Sequence, residues 1–280
     1  MPVIKGTKTA GPELTVLAHG PRSEAVVRDR KRFRLLRQPD QRSADHARNV
    51  FVLVAATELP HLAAFISTVN RRNQLRALVV REDVEPSSIP QMFDRAHLRM
   101  LRNTIIHSGD AVPRRLLTAW AHNAQDELIA KATVSEDRLF LLSCALRQYE
   151  VAFSEMAALK CIPKTERPNF VIAQDGGYIH WPGPDIHIDL DAIRVAIDPK
   201  ARAKAVAEKA RRDARYGAAI GRLRMAKGLK QSDIGGLSER QVRRIEKGEG
   251  TTVEALSRLA AAHGMDLDGY LSAVSENVCS

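Results

Sequence analysis

The chain has 280 residues and a net charge of +10, enough length for two or three domains with ordinary cores. No apolar run approaches the roughly 20 residues needed to cross a bilayer, and the polar N-terminus lacks the apolar core of a secretory signal, so a cytoplasmic protein is expected. The three cysteines, Cys144, Cys161 and Cys279, have neither CxxC nor Cys/His ligand spacing, which fits a reducing compartment and argues against a structural zinc.

In chain order, residues 1–48 show no sustained apolar periodicity. They carry a basic run, Arg28, Arg30, Lys31, Arg32, Arg34 and Arg37. The expectation is a flexible basic arm able to add phosphate contacts, with a solubilising tail or an irregular strand around Phe33–Leu36 as alternatives. Residues 49–131 read as a small α/β domain. Val50 to Ala56 is a continuous apolar run suited to a strand covered on both faces, and Leu62, Phe65, Ile66 and Val69 follow at helical spacing. Leu75 to Val80 reads as a second buried strand and Leu98 to Ile106 as helix or strand. Arg114 to Ala132 reads as one helix with Leu116, Leu117, Trp120, Leu128 and Ile129 inward. A ligand at the strand C-termini is conceivable by analogy with open α/β sheets. There is, however, no Gly-rich phosphate loop, and Glu82, Asp83 and Glu85 read more simply as solvated loop charges.

Residues 132–197 change to short strands around Leu139, Val151, Val171 and Ile179, with a helical turn from Met156 to Leu159 and a hairpin signal at Asp175-Gly176-Gly177. Asp185, His187, Asp189 and Asp191 alternate with apolar residues and would share one face of an extended segment. Same-face neighbours on one strand lie nearly 7 Å apart, too far to converge on one ion unaided. A solvated strand face is the expectation, with no metal, cofactor or catalytic group. The stretches from Asp137 to Pro163 and from Phe170 to Arg194 resemble the bacterial domain-of-unknown-function family numbered twenty-four forty-two. Its closing GxIxW hairpin and following aspartate are matched by Gly177, Ile179, Trp181, Asp185 and Ile186. The resemblance implies a small α+β fold, frequent company with helix-turn-helix modules, and no established activity.

Asp198-Pro199 is a helix start, and the Ala/Lys/Arg-rich segment after it reads as a linker helix over 198–216. From Lys200 to Gly250 there are fifteen Lys/Arg against six Asp/Glu, so most of the excess charge lies here and a polyanion is the natural partner. Ser238 and Gln241 have capping-box spacing, Val242 and Ile245 share one face of the helix they open, and Gly248 closes it. Lys230 to Ile234 is a helical turn before it, joined through Gly235-Gly236-Leu237.

This last segment, 217–274, resembles the Xre-like helix-turn-helix domain of the Cro and lambda-type repressors. The matching residues are Gly228-Leu229-Lys230-Gln231, Asp233-Ile234, Val242-Arg243-Arg244-Ile245-Glu246-Lys247-Gly248, then Val253 to Ala260 and Leu267 to Leu271. Between Gln231 and Ser238 the chain is about three residues shorter than the family pattern, so the second helix should be clipped.

The resemblance implies an all-α DNA-binding domain behind the two α/β and α+β domains. A sequence-specific transcriptional regulator, a repressor first, is then expected to bind double-stranded DNA at an inverted repeat as a homodimer. Arg240 and Arg244 would read guanines and Glu239 a cytosine amino group, with Ser238 and Gln241 at the groove-facing start of the helix. Gln231, Arg243 and Lys247 would hold phosphates. Tyr270 and Val274 are candidate contributors to the dimer surface. The alternative is an antitoxin-like or adaptor protein whose N-terminal half binds a protein partner. An enzyme built on His187 and its neighbouring acids is a third reading, and no nucleophile–base pair supports it.

Overall fold

The computed structural model describes residues 14–27, 32–36, 39, 44–98, 101 and 103–279. The protein is mixed α/β with a parallel sheet and a helical C-terminal part, and it divides into two compact units, residues 1–197 and 198–280. No helix among the described residues is long and apolar enough to cross a membrane.

The first unit opens with β1 (Leu14–Ala18), α1 (Pro21–Val26), β2 (Phe33–Leu36), β3 (Val50–Ala55), α2 (Leu59–Arg71), β4 (Leu75–Arg81), α3 (Ile89–Arg95), β5 (Thr104–His107) and α4 (Ala111–Ala121). The five strands are all parallel, in the order β2-β1-β3-β4-β5. Val50, Val52 and Val54 point to the side packed by Leu62, Phe65, Ile66 and Val69 of α2. Phe51 and Leu53 point the other way, to Val26 of α1 and to Leu116 and Leu117 of α4. Helices on both faces leave β3 with no polar side, which is why its sequence is continuously apolar rather than alternating.

The expected arm over 1–48 is corrected over its described part. Leu14–Ala18 is an interior strand, paired with β2 on one side and β3 on the other, and Phe33–Leu36 is the regular edge strand beside it. Arg32 and Arg34 lie against it, donating to the carbonyls of Ala121 (2.9 Å) and His46 (3.2 Å). Arg28, Arg30, Lys31 and Arg37 lie outside the described residues.

The unit continues with two antiparallel three-stranded sheets. One runs β6 (Ile129–Ser135), β7 (Arg138–Ser143), β8 (Gln148–Ala152). The other is ordered β11-β10-β9, with β9 (Val171–Ile172), β10 (Tyr178–Trp181) and β11 (Ile186–Asp189). With α5 (Ala157–Lys160) and α6 (Leu190–Ile197) they enclose Phe153 and Trp181, both fully buried, 6.4 Å apart edge to face.

The helix expected from Arg114 to Ala132 is broken. α4 ends at Ala121, Asn123 takes a left-handed backbone (φ 56°), and Leu128 and Ile129 lead into a strand. The expected boundary at 131/132 therefore falls inside β6.

Two side chains of α4 tie the parallel sheet to the antiparallel ones. Arg115 donates to the carbonyls of Ala173 (3.2 Å), Ala130 (3.1 Å) and Ile172 (3.3 Å), and Trp120 Nε1 donates to Cys144 O at 2.8 Å. Partial burial lowers the Arg115 pKa from its usual value, but the guanidinium stays charged and its planar fork serves three carbonyls at once, a geometry a flexible ammonium does not reproduce. Arg115→Ala should therefore destabilise this unit by at least about 2 kcal/mol, and Arg115→Lys should recover only part of that. Both tryptophans, Trp120 and Trp181, lie in this unit, so urea unfolding followed by tryptophan fluorescence isolates the effect.

Candidate nucleic-acid interface

The second unit consists of α7 (Pro199–Ala226), a single 3-10 turn at Gln231–Asp233, α8 (Glu239–Glu246), α9 (Val253–Ala262) and α10 (Leu267–Cys279). α7 starts where Asp198 accepts from Lys200 N at 2.8 Å, with Pro199 in the first turn where no intrahelical donor is needed. It is one unbroken helix, so the expected linker boundary at 216/217 lies in its interior. Where a helical turn is expected over Lys230 to Ile234, the chain forms the 3-10 turn at Gln231–Asp233.

α8 begins with a reciprocal cap. Ser238 Oγ accepts from Gln241 N at 3.3 Å, and Gln241 Oε1 accepts from Ser238 N at 2.8 Å and from the Ser238 hydroxyl at 2.9 Å. These contacts occupy Ser238 and the Gln241 amide oxygen, and Gln241 is exposed. Val242 (0% exposed) and Ile245 (6%) enter a core with Ala219, Ile220, Ile234, Leu259, Tyr270 and Val274. Tyr270 and Val274 are fully buried, which corrects their assignment to a dimer surface: α10 lays them into the unit's own core.

The opposite side of α8 exposes Glu239, Arg240, Arg243, Arg244 and Lys247. Arg244 pairs with Glu249 at 3.0 Å. Arg240, Arg243 and Lys247 have no ion-pair partner among the described residues. Arg240 and Arg244 stand one turn apart, as do Arg243 and Lys247, so two basic rows run along the exposed side.

A buried ion pair fixes the far end of this helix. Arg224 of α7 donates through Nε to Glu246 Oε1 (2.5 Å) and through Nη2 to Oε2 (3.2 Å), while Nη1 reaches Leu229 O at 2.6 Å. Both side chains are little exposed, 11% and 13%, and the Glu246 hydrogen bonds raise the Arg224 pKa. Gln231 Nε2 donates to Glu246 Oε2 at 2.7 Å. Its second N–H remains for an outside acceptor.

The helices also cross at very short range. A Cβ on Gly217 would lie 2.5 Å from Gly248 N and from Ile245 O, and one on Gly248 (φ 78°) 2.4 Å from the Asp213 carbonyl. Gly217 is thus required for packing.

In the first unit, the polar groups at the C-terminal ends of the parallel strands mostly bond one another. Thr57 donates to Asp83 through its hydroxyl (2.5 Å) and its N–H (3.3 Å). Glu58 stands 2.9 Å from His61 and 3.5 Å from His19, and the His61 hydrogen bond lowers its pKa. Comparison of the chain with models of known families, with curated proteins and with solved structures finds no match.

Removing one partner of the buried pair strands the other's charge. Glu246→Ala should cost the second unit roughly 3–5 kcal/mol, and Glu246→Gln, which keeps acceptor geometry at one oxygen, should cost less. Thermal unfolding followed by the helical circular dichroism of full-length protein measures both.

Proposed function

We propose that the protein is a sequence-specific DNA-binding regulator that lays α8 in the major groove of double-stranded DNA. The observation that carries the reading is the division of α8. One side is locked into the core by Val242, Ile245 and the Glu246 network, while the other presents Arg240, Arg243 and Lys247 with no ion-pair partner among the described residues. Rigid presentation matters because base readout needs side chains placed to within a fraction of an ångström.

Arg240 and Arg244 take the role of guanine readers, with Arg244 exchanging Glu249 for a base edge. Glu239 stands at the same end as Arg240 for a cytosine amino group, and Gln241 offers its free amide nitrogen. Arg243, Lys247 and the remaining N–H of Gln231 serve the phosphates. Ser238 acts through the cap. A module of this size makes few contacts alone, which supports a homodimer on an inverted repeat.

A second reading draws on the first unit. A groove of about 550 Å³ is lined by Thr104, Ile105 and Ile106 of β5, the outermost parallel strand, and by Lys131, Phe140, Tyr149 and Glu150. An edge strand beside a groove of mixed polarity suits an added peptide strand. It supports a regulator that also holds a protein partner, as an antitoxin or adaptor does.

The variants separate base reading from charge attraction. On duplex DNA from the gene's own upstream region, Arg240→Ala should cost about 1–3 kcal/mol and relax the preference at one base position. Lys247→Ala should weaken preferred and scrambled duplexes alike and reduce the salt slope by about one. Fluorescence polarisation titrations measure both, and an equal loss on every DNA for Arg240→Ala would remove it as a base reader.

A further inference from the structure

The hairpin of β10 and β11 brings His180 of one strand to Asp185 and His187 of the turn and the other strand. His180 and His187 are directly opposite in the antiparallel register, and their rings stack with centroids 3.9 Å apart and planes within 8° of parallel. Asp185, in the turn between the strands, has a left-handed backbone (φ 52°). Its Oδ1 lies 3.2 Å from His180 Nε2 and 3.9 Å from His187 Nδ1. One ligand atom from each of the three falls within 4.8 Å of the others.

We propose that His180, Asp185 and His187 form a binding site for a borderline divalent transition-metal ion, Zn²⁺ first. In a tetrahedral zinc site with bonds of about 2.0–2.1 Å the donors stand roughly 3.4 Å apart, so two of the separations here are already within about half an ångström of that value. The parallel rings require one imidazole to tilt so that both lone pairs converge. His187 is the more open of the two, about half exposed against less than a third for His180, so the tilt falls to His187, whose ring neighbour on the other side, Tyr178 at 5.0 Å, is itself exposed.

Two imidazoles and one carboxylate select zinc, nickel or copper over magnesium and calcium, which prefer all-oxygen shells. Three protein donors leave a fourth position for water or a donor from outside. Of the three acids that sequence alone places beside His187, Asp185 stays in the cluster and the other two are engaged elsewhere. Asp189 accepts from Ala192 N at 2.7 Å at the start of α6, and Asp191 pairs with Arg194 at 2.9 Å. His180, from the neighbouring strand, takes their place.

This inference is independent of the DNA-binding reading. The test is isothermal titration of untagged, chelator-stripped full-length protein with ZnCl2, followed by the visible absorption of the Co²⁺-loaded form. One ion per chain is expected, not displaced by excess Mg²⁺, with a Co²⁺ spectrum of low coordination number. His180→Ala and His187→Ala should each abolish stoichiometric binding, and Asp185→Asn should weaken it about tenfold or more. All three side chains are at least partly exposed, and unchanged melting of the variants confirms that only the site was altered. Absence of Zn²⁺ binding to the wild type, or undiminished binding by the two histidine variants, would overturn the assignment.

Discussion

The second unit depends on one buried ion pair. Arg224 and Glu246 join the end of α7 to the end of α8, and through the same side chains they hold the turn between them, by Leu229 O and by Gln231 Nε2. A buried pair of this kind contributes little net stability compared with apolar replacements, because desolvation offsets most of the attraction. Its role here is orientation. Only one 3-10 turn lies between α7 and α8; Val242 and Ile245 hold the helix by non-directional apolar contact, and the carboxylate at its last residue adds directed bonds to that contact. The glycine crossing acts in the same direction: Gly217 and Gly248 let the two backbones approach until no side chain fits between them.

In the first unit a different constraint dominates. A parallel sheet needs both faces covered, and its strands pair across long sequence separations. β1 lies between β2 and β3, and α1 with α4 closes one face over it. Arg115 and Trp120 on α4 then attach the antiparallel sheets to the same helix, so the stretches expected to be three separate segments of chain form one compact unit.

What is legible in the sequence follows from the range of the interactions. Caps, helical periodicity and two-face burial are local, so Val50–Ala55, Leu59–Arg71, Leu75–Arg81 and the Ser238–Gln241 cap can be read from the order of residues alone. Leu14–Ala18 cannot. Four apolar residues and Thr15 become a strand only because β2 and β3 flank them. Leu128 and Ile129 fall in phase with α4 by coincidence, and the left-handed Asn123 that ends the helix leaves no firm mark in composition. Tyr270 and Val274 look available for a second subunit only until α10 is seen to lay them into the core with Ile220, Val242 and Leu259. His180 escapes a reading by spacing because its relation to His187 is one of register across a hairpin. The placing of the two histidines on either side of Pro182-Gly183-Pro184 is the available clue. The exposed basic side of α8 is readable residue by residue, whereas the tie of Gln231 to Glu246 emerges only from the fold.

The central claim, that α8 reads sequence rather than supplying charge alone, is tested most directly by wild-type protein on two duplexes of equal length, one from its own upstream region and one scrambled, each at low and at physiological salt. Phosphate attraction falls steeply with salt on both DNAs, whereas base contacts do not. The account predicts that the preference for the upstream duplex persists or grows at the higher salt. Equal affinity for the two duplexes, lost together as salt rises, would contradict it and leave α8 as a basic surface without a code.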